Sequence, residues 1–305
     1  MTTALERAPG PIPQSRVGAW LQAARPRTLG ASLVPVAVGA AVAGAEGSFR
    51  PLVTLVCLLC ALLLQTAANL GNDVFDFLRG IDTPGRQGPL RVTQAGLIPA
   101  RAVLRATALV LFVGACCGLY LVSVGGAPIL IVGIAAIVCA LGYSGGPYPL
   151  ASRGLGEVTV FVFFGVVAVV GSAYLNSGRL STLALLSSVP VGALAMALLV
   201  VNNLRDIETD RGAGKRTLAV RLGARRTRIE YGLLIAVAYA WPLLLLASTH
   251  TTQTVLLPWL SAPWAVALLR SVLKASDAPA LNRALVGTAR LHAIYGILLI
   301  VGVVL

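Results

Sequence analysis

The chain is a succession of long apolar runs separated by short polar segments. Nine runs can be cut at charge clusters and at Gly and Pro, and they lie at residues 28–45, 52–71, 102–122, 126–143, 156–175, 183–203, 229–248, 253–273 and 284–305. Each approaches the roughly 20 residues that an α-helix needs to cross a bilayer. Because the runs are continuous and lack the alternation of barrel strands, they predict an all-α, multi-pass transmembrane bundle of about nine helices.

Composition supports a membrane protein and disfavours nucleic acid as a partner. Hydrophobic residues make up 57% of the chain and charged residues 11%, whereas soluble domains contain about 25% charged residues. The 24 Lys and Arg residues outnumber the 11 Asp and Glu residues, which gives a net charge of +13. The basic residues are spread over short segments between apolar runs, so we expect contact with membrane lipid and no nucleic acid.

The distribution of positive charge predicts the orientation of the chain. If the N-terminus is cytoplasmic, 21 of the 24 Lys and Arg residues fall on the cytoplasmic side, as the positive-inside rule requires. This pattern predicts a multi-pass protein of the cell membrane with a cytoplasmic N-terminus. Residues 1–20 are predicted to form a disordered cytoplasmic tail, since they contain Pro and Arg but no apolar core, and residues 21–305 to form a single membrane-embedded domain.

The acidic residues are concentrated at two places in the chain. Six of the eleven follow the second and sixth apolar runs, and they are Asp73, Asp76, Asp82, Asp206, Glu208 and Asp210. In the predicted topology both groups lie at cytoplasmic helix ends, and so at one depth. Ionisable groups at membrane helices are energetically costly and commonly mark functional sites.

The two acidic segments share a pattern of one amide followed by two carboxylates. Its members are Asn69, Asp73 and Asp76 in "NLGNDVFD", and Asn202, Asp206 and Asp210 in "NNLRDIETD". Spacings of three and four residues bring side chains to one helix face, so we expect each segment to present them to a common space. Asn72 and Asn203, within the same two segments, are further candidates for substrate contacts.

This constellation predicts a metal and diphosphate site. Converging carboxylates repel one another and need cations, so Asp73, Asp76, Asp206 and Asp210 are predicted metal ligands. Oxygen ligands without His or Cys nearby favour Mg²⁺, which commonly bridges carboxylates to substrate phosphates. Neighbouring Arg and Lys side chains would add phosphate ligands. At a membrane face, such a site suggests a lipid diphosphate as substrate.

Two other interpretations stay open from the residues alone. Salt bridges at helix ends explain Asp82, Glu208 and Glu157 as well as a functional role does. A cation-coupled transporter is an alternative function, although transporters tend to place ionisable groups near the bilayer midplane rather than at its cytoplasmic rim.

Four stretches of the chain resemble the intramembrane aromatic prenyltransferases of the UbiA superfamily. They are "ARPRTL", "NLGNDVFDFLRGIDTPGRQGPLRVTQAGLI", "YSGGPYPLASRGLGEV" and "NNLRDIETDRGAGKRTLAVRLG". The likeness covers nearly the whole chain from Ala23, and within the superfamily it is strongest to the members that prenylate 1,4-dihydroxy-2-naphthoate in menaquinone synthesis.

The resemblance implies a fold, a reaction and roles for residues. It implies a helical cavity open near the cytoplasmic face, in which the two aspartate motifs hold Mg²⁺ against a polyprenyl diphosphate. Asp73, Asp76, Asp206, Asp210 and Lys215 are implied to be catalytic. Arg27 and Lys215 are implied diphosphate ligands, and Arg91 and Tyr143 are implied to line the cavity. A small aromatic acceptor would attack the allylic cation, and in the naphthoate branch it would lose its carboxyl group as CO₂.

One departure from the family pattern concerns the first motif. Many members carry a third acidic residue four positions after the second, where this chain has Gly80, and the next acid is Asp82. That leaves open whether Asp82 binds metal. A relative acting on another aromatic acceptor, or a terpene cyclase, would share the diphosphate half of the site, so acceptor identity, prenyl chain length and oligomeric state stay open.

Overall fold

The computed structural model describes residues 15–82, 88–249 and 251–305, without the side chain of Arg27. Within these ranges every regular element is helical. The α-helices are α1 Arg16–Ala24, α2 Pro26–Ala45, α3 Pro51–Leu78, α4 Ala100–Gly125, α5 Ala127–Gly142, α6 Gly156–Val160, α7 Ala168–Ser177, α8 Thr182–Arg205, α9 Ile207–Gly212, α10 Leu218–Ser248, α11 Ala262–Lys274 and α12 Ala278–Val304. A π-helical stretch, Phe161–Val167, joins α6 to α7, and a 3₁₀ stretch, Gln253–Ser261, precedes α11.

All nine predicted apolar segments are helical. In the described part of the chain, eight helical segments are long and apolar enough to cross a membrane, and the ninth apolar segment is the shorter α5. The chain is therefore a multi-pass membrane protein. Three predicted boundaries differ by more than five residues, because α3 continues to Leu78, α10 extends back to Leu218 across a non-helical break at Gly223, and α12 begins at Ala278. Each of these extensions contains charged residues, and a helix keeps its hydrogen bonds there without needing lipid.

The predicted disordered tail is wrong for residues 16–20, which belong to α1. The Ser15 side chain caps this helix by accepting a hydrogen bond from the Gly18 N–H at 3.0 Å, as Ser commonly does at a helix start. The helix ends at Arg25, which has φ +53° and precedes Pro26. Residues 1–14 lie outside the described residues, so that part of the prediction is not tested.

The core of the bundle is built around α8. Most of this helix is buried, and α2, α10 and α12 pack along it. A close crossing joins α8 to the π-helical stretch: a Cβ on Gly165 would lie 2.8 Å from the Gly192 Cα. Only glycine permits this approach, which is the small-residue packing expected between helices in a membrane.

The periphery of the bundle is apolar and exposed. On α4 and α5, Leu109, Phe112, Leu119 and Ile131 are between 63% and 68% exposed, and none of the α5 side chains is buried. Such a surface suits lipid rather than water.

A large cavity of about 1340 Å³ lies inside this shell. Its lining includes Asp76 near the end of α3 and Cys57 near the start of the same helix, and 19 residues of α-helix span about 28 Å. The cavity therefore runs through most of the depth of the bundle. It is polar at the end near Asp76 and apolar around Val36, Leu121 and Leu175.

Candidate active site

The last turns of α3 bring two predicted substrate-binding amides and one carboxylate to the cavity. Asn69, Asn72 and Asp76 all line it. The Asn69 Nδ2 donates to the Ala24 carbonyl oxygen at 2.9 Å and to the Thr28 Oγ1 at 3.3 Å. Asn69 therefore ties α3 to the junction of α1 and α2, in addition to lining the cavity.

Asp73 is not part of the cavity lining, and the expectation of four carboxylates in one space is wrong for this residue. Its Oδ2 accepts a hydrogen bond from the Val92 N–H at 3.1 Å and its Oδ1 one from the Thr93 N–H at 3.0 Å. Successive residues on a helix are turned by about 100°, so Asp73 points well away from Asn72. Its carboxylate instead fixes the backbone of the segment that begins with Arg91.

Arg91, the first residue of this segment, lines the cavity, which is the position that the family resemblance implied. Its Nη2 donates to the Asp76 Oδ2 at 3.1 Å, and its Nε lies 3.5 Å from the Asp82 Oδ2. The Arg91 side chain is only 5% exposed. A buried guanidinium between two carboxylates is strongly held, because each partner would otherwise be an uncompensated charge in a low-dielectric site.

Lys215 links the two acidic segments. Its Nζ lies 3.7 Å from the Asp76 Oδ2, and its backbone N–H donates to the Asp210 carbonyl oxygen at 2.8 Å. Lys215 and Asp210 both line the cavity. The lysine predicted from the second segment therefore faces the carboxylate of the first.

The second segment is organised by Arg205, which is not among the predicted site residues. The Arg205 Nε and Nη2 donate to the two oxygens of Asp206 at 2.8 and 2.6 Å. The same side chain donates to the Asn202 Oδ1 at 2.9 Å and to the Asn282 Oδ1 at 2.8 Å. The only signal was its position directly before Asp206, since Asn282 is distant in sequence.

Asn202, Asp206 and Asp210 line the cavity together, as predicted. The α8 helix ends at Arg205, with Asp206 between it and α9. Glu208 in α9 is turned outward and forms an exposed ion pair with Arg211 at 2.9 Å. For Glu208, the salt-bridge interpretation is therefore the one that the structure supports.

Two further predicted residues, Asn203 and Tyr143, also line the cavity. The Asn203 Nδ2 donates to the Glu157 Oε1 at 2.8 Å. Burial raises the pKa of the Tyr143 phenol, and nearby carboxylates, including Asp76 and Asp210, raise it further. The phenol therefore stays protonated at neutral pH and can donate a hydrogen bond.

Two arginines, Arg25 and Arg27, lie at the start of α2, and the structure describes the side chain of Arg25 only. The side chain of Arg27 lies outside the described residues. Arg25 lines the cavity instead, and it does so from a left-handed backbone conformation. A non-glycine residue in that conformation carries strain, and such strain is often found at functional sites.

The donor set fits a hard metal ion, although the carboxylates are not drawn together. Within the described ranges, no three His, Cys, Asp or Glu side chains lie close enough to hold an ion, and Arg and Lys side chains contact the carboxylates instead. However, the Asp76 Oδ1 and the Asn72 Oδ1 are buried and have no hydrogen-bond partner in the part of the chain that the structure describes. Buried oxygens rarely stay unpaired, and oxygen ligands are those that Mg²⁺ prefers.

Comparison with known proteins identifies the chain. Residues 32–294 match the UbiA prenyltransferase family. The chain belongs to this family. The UbiA prenyltransferase described here is 38% identical over 301 residues to the 1,4-dihydroxy-2-naphthoate octaprenyltransferase of Escherichia coli (strain K12), a match that covers 95% of this chain and 96% of the relative.

A second relative and a solved structure agree with this family. The 1,4-dihydroxy-2-naphthoate octaprenyltransferase of Mycobacterium tuberculosis (strain ATCC 25618 / H37Rv) is 41% identical over 230 residues, covering 75% of this chain and 78% of the relative. A UbiA homolog from Archaeoglobus fulgidus, solved bound to GPP and Mg²⁺, superimposes with a TM-score of 0.64 at 16% identity, covering 92% of this chain and 99% of that chain. At that identity the likeness establishes the fold alone.

Proposed function

We propose that this UbiA prenyltransferase transfers a polyprenyl group from its diphosphate to 1,4-dihydroxy-2-naphthoate in a Mg²⁺-dependent reaction, with loss of the acceptor carboxyl group as CO₂. The acceptor is inferred from the relatives that carry this activity in their names and align over most of the chain. The metal is inferred from the donor set and from the homolog bound to GPP and Mg²⁺.

The observation that carries the proposal is the division of one cavity into a charged end and a long apolar remainder. Asp76, Asp206 and Lys215 lie at one end, and Val36, Leu121 and Leu175 lie toward the other. A polyprenyl diphosphate has the same division, because its charged head needs ionic partners and its hydrocarbon tail needs an apolar environment. The match is therefore one of polarity along the cavity.

The proposed metal ligands are Asp76, Asp206 and Asp210, with the Asn72 and Asn202 amides beside them. Asp73, which the sequence placed among the metal ligands, is proposed to act through the Arg91 segment instead. When bound, Mg²⁺ would neutralise negative charge on the diphosphate. Oxygen donors on both acidic segments support a site between them, since each segment alone supplies too few ligands.

Arg91, Lys215 and Arg25 are the proposed protein ligands of the diphosphate, with Arg27 as a further candidate. Arg91 and Lys215 already contact Asp76, so they would share their charge between this carboxylate and the phosphates. Asp82 is proposed to hold Arg91 rather than a metal, since Arg91 lies between it and Asp76. Charge-assisted hydrogen bonds of this kind strengthen as the diphosphate gains charge on leaving.

The remaining steps use the apolar part of the cavity. Departure of diphosphate leaves an allylic cation, and an environment of apolar side chains such as Phe163 and Phe164 keeps water from capturing it. The electron-rich ring carbon that carries the carboxyl group forms the new C–C bond, and loss of CO₂ restores the aromatic ring. Tyr143 and Asn203 are proposed to hold the acceptor.

The proposed location is the cell membrane with the N-terminus and the charged end of the cavity on the cytoplasmic side. This orientation is supported by 21 of the 24 Lys and Arg residues falling on that side. Both substrates would then meet at the cytoplasmic membrane face, because the acceptor is charged and the prenyl tail stays in lipid.

The experiment that tests this function is diphosphate release by purified protein with Mg²⁺ and a long-chain prenyl diphosphate, with and without 1,4-dihydroxy-2-naphthoate. Acceptor-dependent release with a prenylated, decarboxylated product in the mass spectrum is the expected result. Diphosphate release that does not depend on the acceptor and yields a hydrocarbon or an alcohol would indicate a cyclase. Absence of release with every aromatic acceptor would contradict the proposed enzyme activity.

A further inference from the structure

Glu157, the second residue of α6, is a buried carboxylate that the proposed diphosphate chemistry does not use. It is 1% exposed. Its Oε1 accepts a hydrogen bond from the Asn203 Nδ2 at 2.8 Å, and its Oε2 is buried without a hydrogen-bond partner among the described residues. Burying a polar group with an unmet hydrogen bond is destabilising, so packing alone gives no reason for a glutamate at this position.

The hydrogen bond between Glu157 and Asn203 sets the orientation of the amide. A carboxylate only accepts hydrogen bonds, so the Asn203 side chain must turn its Nδ2 toward Glu157. Its Oδ1 is then the atom left for another partner, and Asn203 lines the cavity. The result is a hydrogen-bond acceptor held in one orientation in the cavity that Asn202 also lines.

Tyr143 reaches the same region from α5. Its hydroxyl oxygen lies 3.0 Å from the position that a Cβ on Gly156 would take, so the ring packs against the residue before Glu157. A phenol hydroxyl can both donate and accept a hydrogen bond. Tyr143 therefore supplies a hydrogen-bond donor next to the start of α6, where Glu157 lies.

We propose that Asn203 and Tyr143 form a binding site for one hydroxyl group of the aromatic acceptor, and that Glu157 is the positioning residue of this site. The acceptor hydroxyl donates to the Asn203 Oδ1 and accepts from the Tyr143 hydroxyl. An acceptor oxygen and a donor hydroxyl that line one cavity match a phenolic hydroxyl, which both donates and accepts. This inference rests on the proposed function and adds to it the class of group that is recognised.

The location of the site agrees with the chemistry. Asn203 and Tyr143 line the same cavity as Asp76 and Asp210. The reacting carbon of the prenyl group is bonded to the diphosphate, so an acceptor ring held in this cavity can approach that carbon. A site that holds substrate in reactive orientation contributes to rate as well as to affinity.

The first variant that tests the proposal is Glu157→Gln, which keeps the size of the side chain. A glutamine can present either an oxygen or an N–H to Asn203, so the amide is no longer held in one orientation. We expect the KM for the acceptor to rise by about tenfold, the loss typical of one hydrogen bond to a charged group. The KM for the prenyl diphosphate and the Mg²⁺ dependence should stay at the wild-type values.

A charge-swapped pair separates positioning from general destabilisation. Asn203→Asp alone places two carboxylates in contact and should raise the acceptor KM further. Combining it with Glu157→Gln restores an N–H···O hydrogen bond with its direction reversed, and one oxygen at position 203 is again left for the acceptor. Partial recovery of the acceptor KM in the double variant, measured as a double-mutant cycle, is expected.

The matched control is Glu208→Gln, the same substitution at an exposed residue in an ion pair with Arg211, and it should change neither KM. An unchanged acceptor KM in Glu157→Gln would overturn the proposal. So would an equal rise in the KM values of both substrates, since that indicates only a structural role.

Equilibrium binding of 1,4-dihydroxy-2-naphthoate to the wild type and to Glu157→Gln, measured without prenyl diphosphate, provides a readout that needs no turnover. Weaker binding by the variant supports the hydroxyl site, and equal binding refutes it. If the wild type shows no acceptor-dependent turnover, the proposed function fails on its own. The same binding comparison with other hydroxylated aromatic compounds then decides the hydroxyl site separately.

Discussion

The two acidic segments have nearly the same sequence pattern but are built differently. In the first, α3 runs unbroken through both aspartates, and Asp73 is turned to the backbone N–H groups of Val92 and Thr93. In the second, the helix is interrupted at Asp206, whose carboxylate accepts hydrogen bonds from the neighbouring Arg205. One aspartate of the first segment supports a loop, whereas both aspartates of the second line the cavity.

The difference shows how each carboxylate obtains its counter-charge. Arg91 donates a hydrogen bond to Asp76 from a segment whose backbone Asp73 holds in place. One aspartate of the first segment therefore serves to position the cation that pairs with the other. Asp206 receives a cation from the adjacent residue and needs no such support. Equivalent spacing in sequence therefore does not imply equivalent chemistry, because the packing around the helix decides which side chain faces the cavity.

The largest effect is expected for Asp76→Asn. This substitution removes the carboxylate that contacts both Arg91 and Lys215 and one proposed metal ligand. Diphosphate release should fall by about 100-fold or more, in line with the loss of a central electrostatic group, and more Mg²⁺ should be needed for half-maximal rate. Near-normal turnover of a folded variant in detergent would remove Asp76 from the site.

Asp73→Asn is the matched comparison, with the same change three residues earlier on the same helix. An asparagine keeps one oxygen that can accept a hydrogen bond, but its NH₂ group would face the second backbone N–H, and two donors cannot pair. The Arg91 segment should therefore shift. We expect a loss of about tenfold in rate and of about 1–3 kcal/mol in the free energy of unfolding, with an unchanged Mg²⁺ requirement. A Mg²⁺ requirement raised as in Asp76→Asn would show that Asp73 binds metal.

Arg205→Lys tests the second segment. Lysine keeps the positive charge but cannot reproduce the paired hydrogen bonds to Asp206 or reach Asn202 and Asn282 in the same way. A loss of about tenfold or less in diphosphate release is expected, together with a lower melting temperature. Arg211→Lys, at the exposed pair with Glu208, is the control and should match the wild type in both measurements.

The smallest effect is expected for Glu208→Gln. Glu208 is in the middle of the second acidic segment, but its side chain is 80% exposed and pairs only with Arg211. Exposed ion pairs contribute about 0–1 kcal/mol, so steady-state rates and thermal stability should stay within about twofold and a few degrees of the wild type. A strong loss of activity would mean that α9 moves Glu208 toward the substrate during turnover.

Much of the architecture could be predicted because the membrane constrains it. Nine apolar runs become nine helical segments, since a backbone in lipid must satisfy its own hydrogen bonds. The boundaries at Leu78 and Ala278 could not be predicted from hydropathy, because outside lipid the α-helix is limited by capping and packing and not by polarity. The break at Gly223 within α10 could not be predicted from hydropathy either. The helical start of α1 was missed for the same reason, since its Ser15 cap lies in a polar region.

The candidate chemical groups follow from the amino-acid sequence: two groups of amides and carboxylates at helix ends, with Lys215 and Arg91 nearby. Their residue types and spacing are local properties, and the apolar runs set their depth in the membrane. Which of these groups share a space depends on the packing of the helices. Asp73 points away from the cavity, and Arg205 joins the second segment to Asn282 by a hydrogen bond. Asn203 donates a hydrogen bond to Glu157, which lies 46 residues away in the sequence. These outcomes depend on contacts between residues that are far apart in the sequence, and such contacts cannot be predicted from the spacing of residue types along the chain.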